Sequence, residues 1–186
     1  MIIKIGCKDV VYKFLLLLLF LIVSCTSEPE EKYTKEVKMK LERMPDQMAR
    51  NVVVEFLDSI YLRAKLWAKV GKVFNQLGET WLYDSVKVEF YSRRSGARQS
   101  ILTSDSAKIN DRTKDMFAFG RVVVVADSPK TILRTSFLEW RNKLQRLYSN
   151  EYVEIITPEE EIRGFGFESD LNLTNYKIYR VSGVKK

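Results

Sequence analysis

Leu82-Tyr-Asp-Ser-Val-Lys-Val-Glu-Phe-Tyr91 alternates: Val86, Val88 and Phe90 take one parity, and Lys87 and Glu89 take the other. Successive side chains of a strand point to opposite faces, so this pattern predicts a half-buried strand with one apolar and one wetted side. The same period recurs downstream. Gly120, Val122 and Val124 share a face, and Tyr152 and Glu154 sort opposite to Val153 and Ile155. From Asn51 onward no apolar stripe of helical spacing has useful length. Turn-forming residues punctuate the chain instead, at Ser95-Gly96, Asn110-Asp111, Asp127-Ser128-Pro129, Asn142, Asn150, Pro158 and Asn175. Their spacing of roughly 10 to 20 residues suits short strands joined by turns. The expectation is an all-β fold: a sandwich, a barrel or a jelly roll.

A weak internal repeat sharpens this. Leu66-x-Ala68-x-x-Gly71-x-Val73, Leu102-x-Ser104-x-x-Ala107-x-Ile109 and Leu133-x-Thr135-x-x-Leu138-x-Trp140 share one spacing. A regular strand keeps even intervals on one face, so the odd step of three predicts a bulge or corner in each. Leu147-x-Ser149-x-x-Tyr152 and Phe167-x-Ser169 echo its first half. A sheet whose strands turn the same corner curls into a trough.

The amino-terminal region reads differently. Lys4, Lys8 and Lys13 precede the apolar run Phe14 to Ser24, the arrangement of a secretory signal. The run falls short of the about 20 residues that span a bilayer core. Ile22-Val23-Ser24-Cys25 has the form of a lipobox, which predicts a signal peptide over 1–24 and acylation of Cys25; a signal anchor is the competing reading. Glu28-Pro29-Glu30-Glu31 then turns polar. The charged segment 25–48 lacks an apolar face and reads as a flexible spacer, with a partly helical stretch over Lys35 to Arg43 as the alternative. The domain proper is assigned to 49–186.

Composition excludes several functions. Cys7 lies in the predicted signal and Cys25 carries lipid, so no thiol is left for a disulfide, a metal or a nucleophile. The 186 residues contain no histidine. The commonest general base, the thiol nucleophile and the usual zinc ligands are therefore missing. Paired carboxylates in a recognisable context are missing too. The expectation is a protein that is no enzyme and uses neither cofactor nor metal. The formal net charge of +7 falls to +5 once Lys4, Lys8, Lys13 and Asp9 leave with the signal. For an exported domain that excess favours an anionic lipid, a membrane surface or an acidic partner over nucleic acid.

Taken in order, NVVVEFLDS (51–59), LYDSVKVEFY (82–91), SILTSDSAKIN (100–110), FGRVVVVADSPKTILRTSFLEW (119–140), IRGFGFESDLNL (162–173) and the closing Val181-Ser182-Gly183 resemble the LptC family of lipopolysaccharide-export proteins. The resemblance implies an open, one-sided twisted β-jellyroll, a half-pipe of antiparallel strands with an apolar interior. It also implies a role: accepting lipopolysaccharide from an inner-membrane ABC transporter and passing it to a periplasmic LptA-like bridge protein through β-edge pairing. The implied location is the periplasm, anchored by lipid to the inner membrane, with the outer membrane as the other possibility. Many relatives carry a transmembrane helix where this chain has the short lipobox run, Thr26 is not the aspartate that retains enteric lipoproteins, and the end at Lys186 leaves the docking edge open.

By parity, Leu66, Val86, Val88, Phe90, Leu102, Val122, Val124, Leu133, Leu138 and Trp140 are candidates for the groove; each could equally pack an ordinary core. Gly164 and Phe167 match the family's glycine and the aromatic three residues on. A bulky side chain at Gly164 is expected to block the acyl chains or the strand pairing. The basic clusters Arg93, Arg94, Arg98 and Arg141, Lys143, Arg146 could meet lipid phosphates, although such residues more often keep hairpin tips in water. Glu159-Glu160-Glu161 reads as a wet turn. The alternative function is another lipid-handling or structural envelope lipoprotein without a transporter partner.

Overall fold

The computed structural model describes residues 44–186. The segment expected to be a signal peptide, Cys25 and most of the expected spacer lie outside them. Nine strands follow one another: β1 (Gln47–Asp58), β2 (Tyr61–Phe74), β3 (Glu79–Tyr91), β4 (Arg98–Asn110), β5 (Met116–Ala126), β6 (Ile132–Arg141), β7 (Arg146–Ile156), β8 (Glu161–Asp170) and β9 (Tyr176–Lys185). β1 thus takes in Gln47 and Met48, which the sequence reading gives to the spacer. The strands form one antiparallel sheet in the order β1 to β9, and β1 does not pair with β9. The sheet is therefore open, and the half-pipe expected from the sequence is the fold. No described residue is helical, so none belongs to a helix that could cross a membrane.

Mid-strand irregularities explain the curl. Pairing register shifts between Trp67 and Val70 in β2, Tyr83 and Val86 in β3, Thr103 and Ser106 in β4, Phe119 and Val122 in β5, Thr135 and Glu139 in β6, and Ser149 and Tyr152 in β7. A bulge bends its strand and increases its twist, so a line of them folds the sheet along one crease. The three-residue steps of the repeat cross this crease. Ala68, Ser104, Ala107 and Leu138 are buried on either side of it, as is Gly71. The echo in β7 fails: Tyr152 is 42% exposed and packs outside against Phe165, while Val153 turns inward. The bend there takes one more residue than in the repeat. Asn150 marks this bend inside β7 and not a turn; its polar side chain suits the exposed corner. The other turn signals fall at or beside connections between strands.

Gly120 shows how tightly the crease is built. Its φ is +93° and the carboxylate of Asp105 lies where a Cβ would stand. Asp105 can then accept the Arg121 backbone N–H at 3.1 Å and pair with its guanidinium at 2.8 Å. Only glycine combines that φ with that close approach.

Folding about the crease brings the two arms face to face. Phe56 of β1 meets Trp140 of β6 edge-to-face at 5.1 Å, and Phe90 of β3 meets the same indole at 5.2 Å. Backbones approach within 8 Å only between strands adjacent in sequence. Side chains alone hold the arms together, as between packed sheets about 10 Å apart. On the outer face Trp81 stacks on Tyr83 and Phe119, Phe119 meets Phe137 at a tilt, and Lys108 lies over Trp81 and Phe117.

Candidate lipid-binding site

Register places the interior side chains in rows. Val54, Leu66, Val88, Leu102, Val124, Leu133, Ile155, Ile162 and Val184 are successive partners, one from each strand. At about 4.8 Å between strands, this row is about 38 Å long. It is buried from Leu66 to Ile155 and surfaces at the edges, where Val184 is 55% exposed. Beyond the crease Gly71, Leu82, Ala107, Ala118 and Leu138 form a second row, rich in small residues. Thr80, Ile109, Met116, Trp140, Leu147 and Ser169 form a third.

All ten groove candidates point inward. Leu66, Val86, Val88, Phe90, Leu102, Val122, Val124, Leu133, Leu138 and Trp140 are at most 1% exposed. Phe167 is 1% exposed and Gly164 is buried beside it. The rows bring these residues together in one interior, filled by their own side chains. Phe56, Leu82, Ala107, Met116, Leu147 and Ile155 occupy the same rows or cap them but were not among the candidates, although alternation placed Ile155 and the repeat and its echo placed Ala107 and Leu147. Leu171 and Leu173 were also missed. They belong to the β8–β9 turn, yet fold back and are 3% and 1% exposed. The only signal for them was an apolar pair inside a polar turn.

Few polar atoms interrupt this interior. Ser104 Oγ donates to the Ser106 carbonyl at 3.0 Å, and Thr135 Oγ1 donates to the Tyr152 carbonyl at 2.8 Å. Ser100 Oγ and Trp140 Nε1 are buried without a hydrogen-bond partner among the described residues. A cavity of about 210 Å³ is lined by apolar Val54, Phe56, Leu57 and Ile109 together with Thr80, Asn142 and the charged Glu55, Asp111 and Lys114. No group of acidic, cysteine or histidine side chains among the described residues could hold a metal.

Most of the basic residues singled out at the rim are already paired. Arg93 pairs with Asp58 at 3.3 Å, Arg98 with Asp127 at 2.9 Å, Arg141 with Glu139 at 2.8 Å and Arg146 with Glu168 at 2.8 Å. Arg141 also stacks on Tyr148 at 4.0 Å. Arg94 and Lys143 have no ion pair among the described residues.

On the outer face the Tyr91 hydroxyl donates to Glu89 at 2.6 Å. That bond, burial and the carboxylate's charge push the tyrosine up to about 12, whereas Lys87 and Tyr91 hold Glu89 below the usual carboxylate range. A tyrosine raised above its ordinary value near 10 contributes stability that is present below pH 10 and lost as pH rises towards 12. Chemical unfolding at stepped pH is expected to show wild-type stability falling across that window. Tyr91→Phe is expected to be less stable than wild type at pH 8 and to lose less of its stability between pH 10 and 12. Parallel pH profiles for the two proteins would show that the bond is not formed in solution.

The family model described as lipopolysaccharide-assembly, LptC-related, matches residues 14–184. No curated protein matches the chain.

Proposed function

Because this chain belongs to the LptC family and is thereby a component of the lipopolysaccharide-export machinery, associated with the inner membrane on its periplasmic side, we propose that it carries lipopolysaccharide by its acyl chains. It takes them from the inner-membrane ABC transporter and passes them to an LptA-like periplasmic bridge protein. The observation that carries this reading is the apolar row that crosses all nine strands of a sheet that never closes, buried from β2 to β7 and surfacing at the two edges. An acyl chain in water exposes apolar surface at a cost of about 25 cal/mol per Å². A carrier needs an uninterrupted dry lining with open ends, and this fold has both. The ten groove candidates would touch the chains once the arms part, because the closed interior has no room for them.

The sheet edges suit assembly. β1 and β9 each have one side without a partner strand among the described residues, and unpaired backbone groups invite a further strand. Val53 and Leu57 on β1, and Tyr179, Val181 and Val184 on β9, are more than half exposed. Cys25, acylated after removal of residues 1–24, would hold the domain at the inner membrane. Segment 25–46 would then give a reach of about 70 Å at full extension.

Photo-crosslinking in living cells tests the reading. Probes at Phe90, Val124 and Trp140 are expected to capture lipopolysaccharide, and probes at the outward Val123 and Val125 are not. Capture should stop when the transporter's ATP hydrolysis is blocked. Equal capture on both faces, or none in a folded and correctly localised protein, would sink the proposal.

A further inference from the structure

Where the two arms meet at one end, a pocket of about 270 Å³ includes Arg63 of β2, Arg93 and Arg94 of the β3–β4 turn, Gln145 of the β6–β7 turn, and Asp170 and Leu171. Arg63 is only 8% exposed. Its Nε and Nη2 donate to Gln145 Oε1 at 3.2 and 2.6 Å. Gln145 is itself fixed, since its Nε2 donates to the Asn142 carbonyl at 2.6 Å and to Asn142 Oδ1 at 3.2 Å. An amide oxygen orients a guanidinium but brings no negative charge. Among the described residues no carboxylate lies within 4 Å of Arg63.

A buried cation without a counter-charge is costly and is seldom kept without a use. The acidic residues nearby are occupied elsewhere. Asp170 accepts the Thr174 backbone N–H at 2.9 Å and Asn175 Nδ2 at 2.8 Å, which holds the β8–β9 turn. Asp58 pairs with Arg93 at 3.3 Å on the exposed side. Burial lowers the affinity of Arg63 for its proton; Asp58 opposes this and Arg93 adds to it. Arg94 contributes a second cation with no ion pair among the described residues.

We infer that this pocket binds a phosphate group, either on an acylated lipid or as the free ion. The guanidinium presents a planar fork of N–H donors that matches phosphate oxygens, and Arg63 spends only two contacts on Gln145. Leu171, which lines the pocket, belongs to the apolar core, so the pocket abuts the interior. A lipid with its acyl chains inside would bring its phosphorylated headgroup here. That lipid source rests on the acyl-carrier reading above; the phosphate site itself does not.

The test uses the full chain in detergent micelles. The probes are the lipid part of lipopolysaccharide with its phosphates, the same lipid without them, and inorganic phosphate. Wild type is expected to bind the phosphorylated lipid about tenfold or more tightly than its counterpart, the scale of one charge-assisted hydrogen bond. Arg63→Gln should erase that preference while leaving the dephosphorylated lipid's affinity unchanged. Arg63→Lys should keep part of it. Arg94→Gln, a change on an exposed turn, should reduce it without shifting the melting temperature, and it decides the matter if Arg63→Gln does not fold.

Inorganic phosphate that binds wild type but not the Arg63 or Arg94 variants, with no preference between the lipids, would support the site with the free ion as its ligand. Equal weakening of both lipids by Arg63→Gln would make Arg63 a strut between the arms and overturn the inference. So would variants that bind every probe as wild type does. If the dephosphorylated lipid does not bind wild type at all, the acyl-carrier reading fails, and the phosphate arm still stands or falls separately.

Discussion

Replacing Trp140 by alanine is expected to lower the stability of the domain by about 3–5 kcal/mol, read from the urea midpoint at unchanged slope. The indole is fully buried. Phe56 approaches it at 5.1 Å with an interplanar angle of 85°, and Phe90 at 5.2 Å with 62°. Such edge-on pairs add about 0.5–1.5 kcal/mol each to the burial of the rings. Phe56 lies on the arm opposite Trp140, so the substitution removes a side-chain tie between backbones that never pair. Trp140→Phe is expected to cost far less. It keeps a ring between Phe56 and Phe90 and removes a buried N–H that has no acceptor among the described residues. A cost for Trp140→Ala below about 1 kcal/mol would mean that the site collapses around the loss and that the arms close by other contacts.

Gly164→Arg is expected to strip β9 from the sheet. An ideal Cβ at Gly164 runs into the Arg180 carbonyl oxygen, lies 2.6 Å from Ile178 Cγ2 and 3.0 Å from Val181 Cα. Two of these three contacts are backbone, which cannot swing aside as a side-chain tip can. The β8–β9 register also shifts between Arg163 and Gly164, so pairing is already irregular there. Amide hydrogen exchange at Ile178 to Val184 is expected to speed up on the order of 100-fold, while amides of β3 to β5 keep their protection. In cells, if β9 is the edge on which the proposed bridge protein docks, its capture there should be lost while lipopolysaccharide capture at Phe90 persists. The reverse pattern would place the obstruction in the acyl path instead of the strand pairing. Even Gly164→Ala is expected to loosen β9, because the overlap begins at the first carbon.

Period two was enough to read strands and to sort Val86, Val88 and Phe90 from Lys87 and Glu89, because alternation is a local property of the chain. The crease was legible too, in the steps Ala68 to Gly71, Ser104 to Ala107 and Thr135 to Leu138, since a bulge must break parity where it occurs. It failed at Tyr152, where β7 spends an extra residue and puts the aromatic outside. Contacts across the arms were beyond reach. Phe56 and Trp140 meet only because the whole sheet curls, and nothing near either residue encodes that. For the same reason the arginines of the β3–β4 turn drew attention while Arg63, alone at the start of β2, did not. Its isolation from acids exists only once Gln145 has been brought to it from 82 residues away.

The strand order also bears on how the domain comes together. Each strand pairs with the one before it, so every hairpin closes a short loop, and closing short loops is the cheap and fast part of forming a sheet. Docking the arms is the exception, since it joins segments far apart in the chain and gains no backbone hydrogen bond. Docking is therefore expected to come last and to be the first step to reverse. If the domain carries acyl chains as proposed, loading would run along the same coordinate: the motion that admits a chain would be the final folding step taken backwards, and the cargo would supply the buried contacts that Phe56 and Trp140 otherwise make with each other.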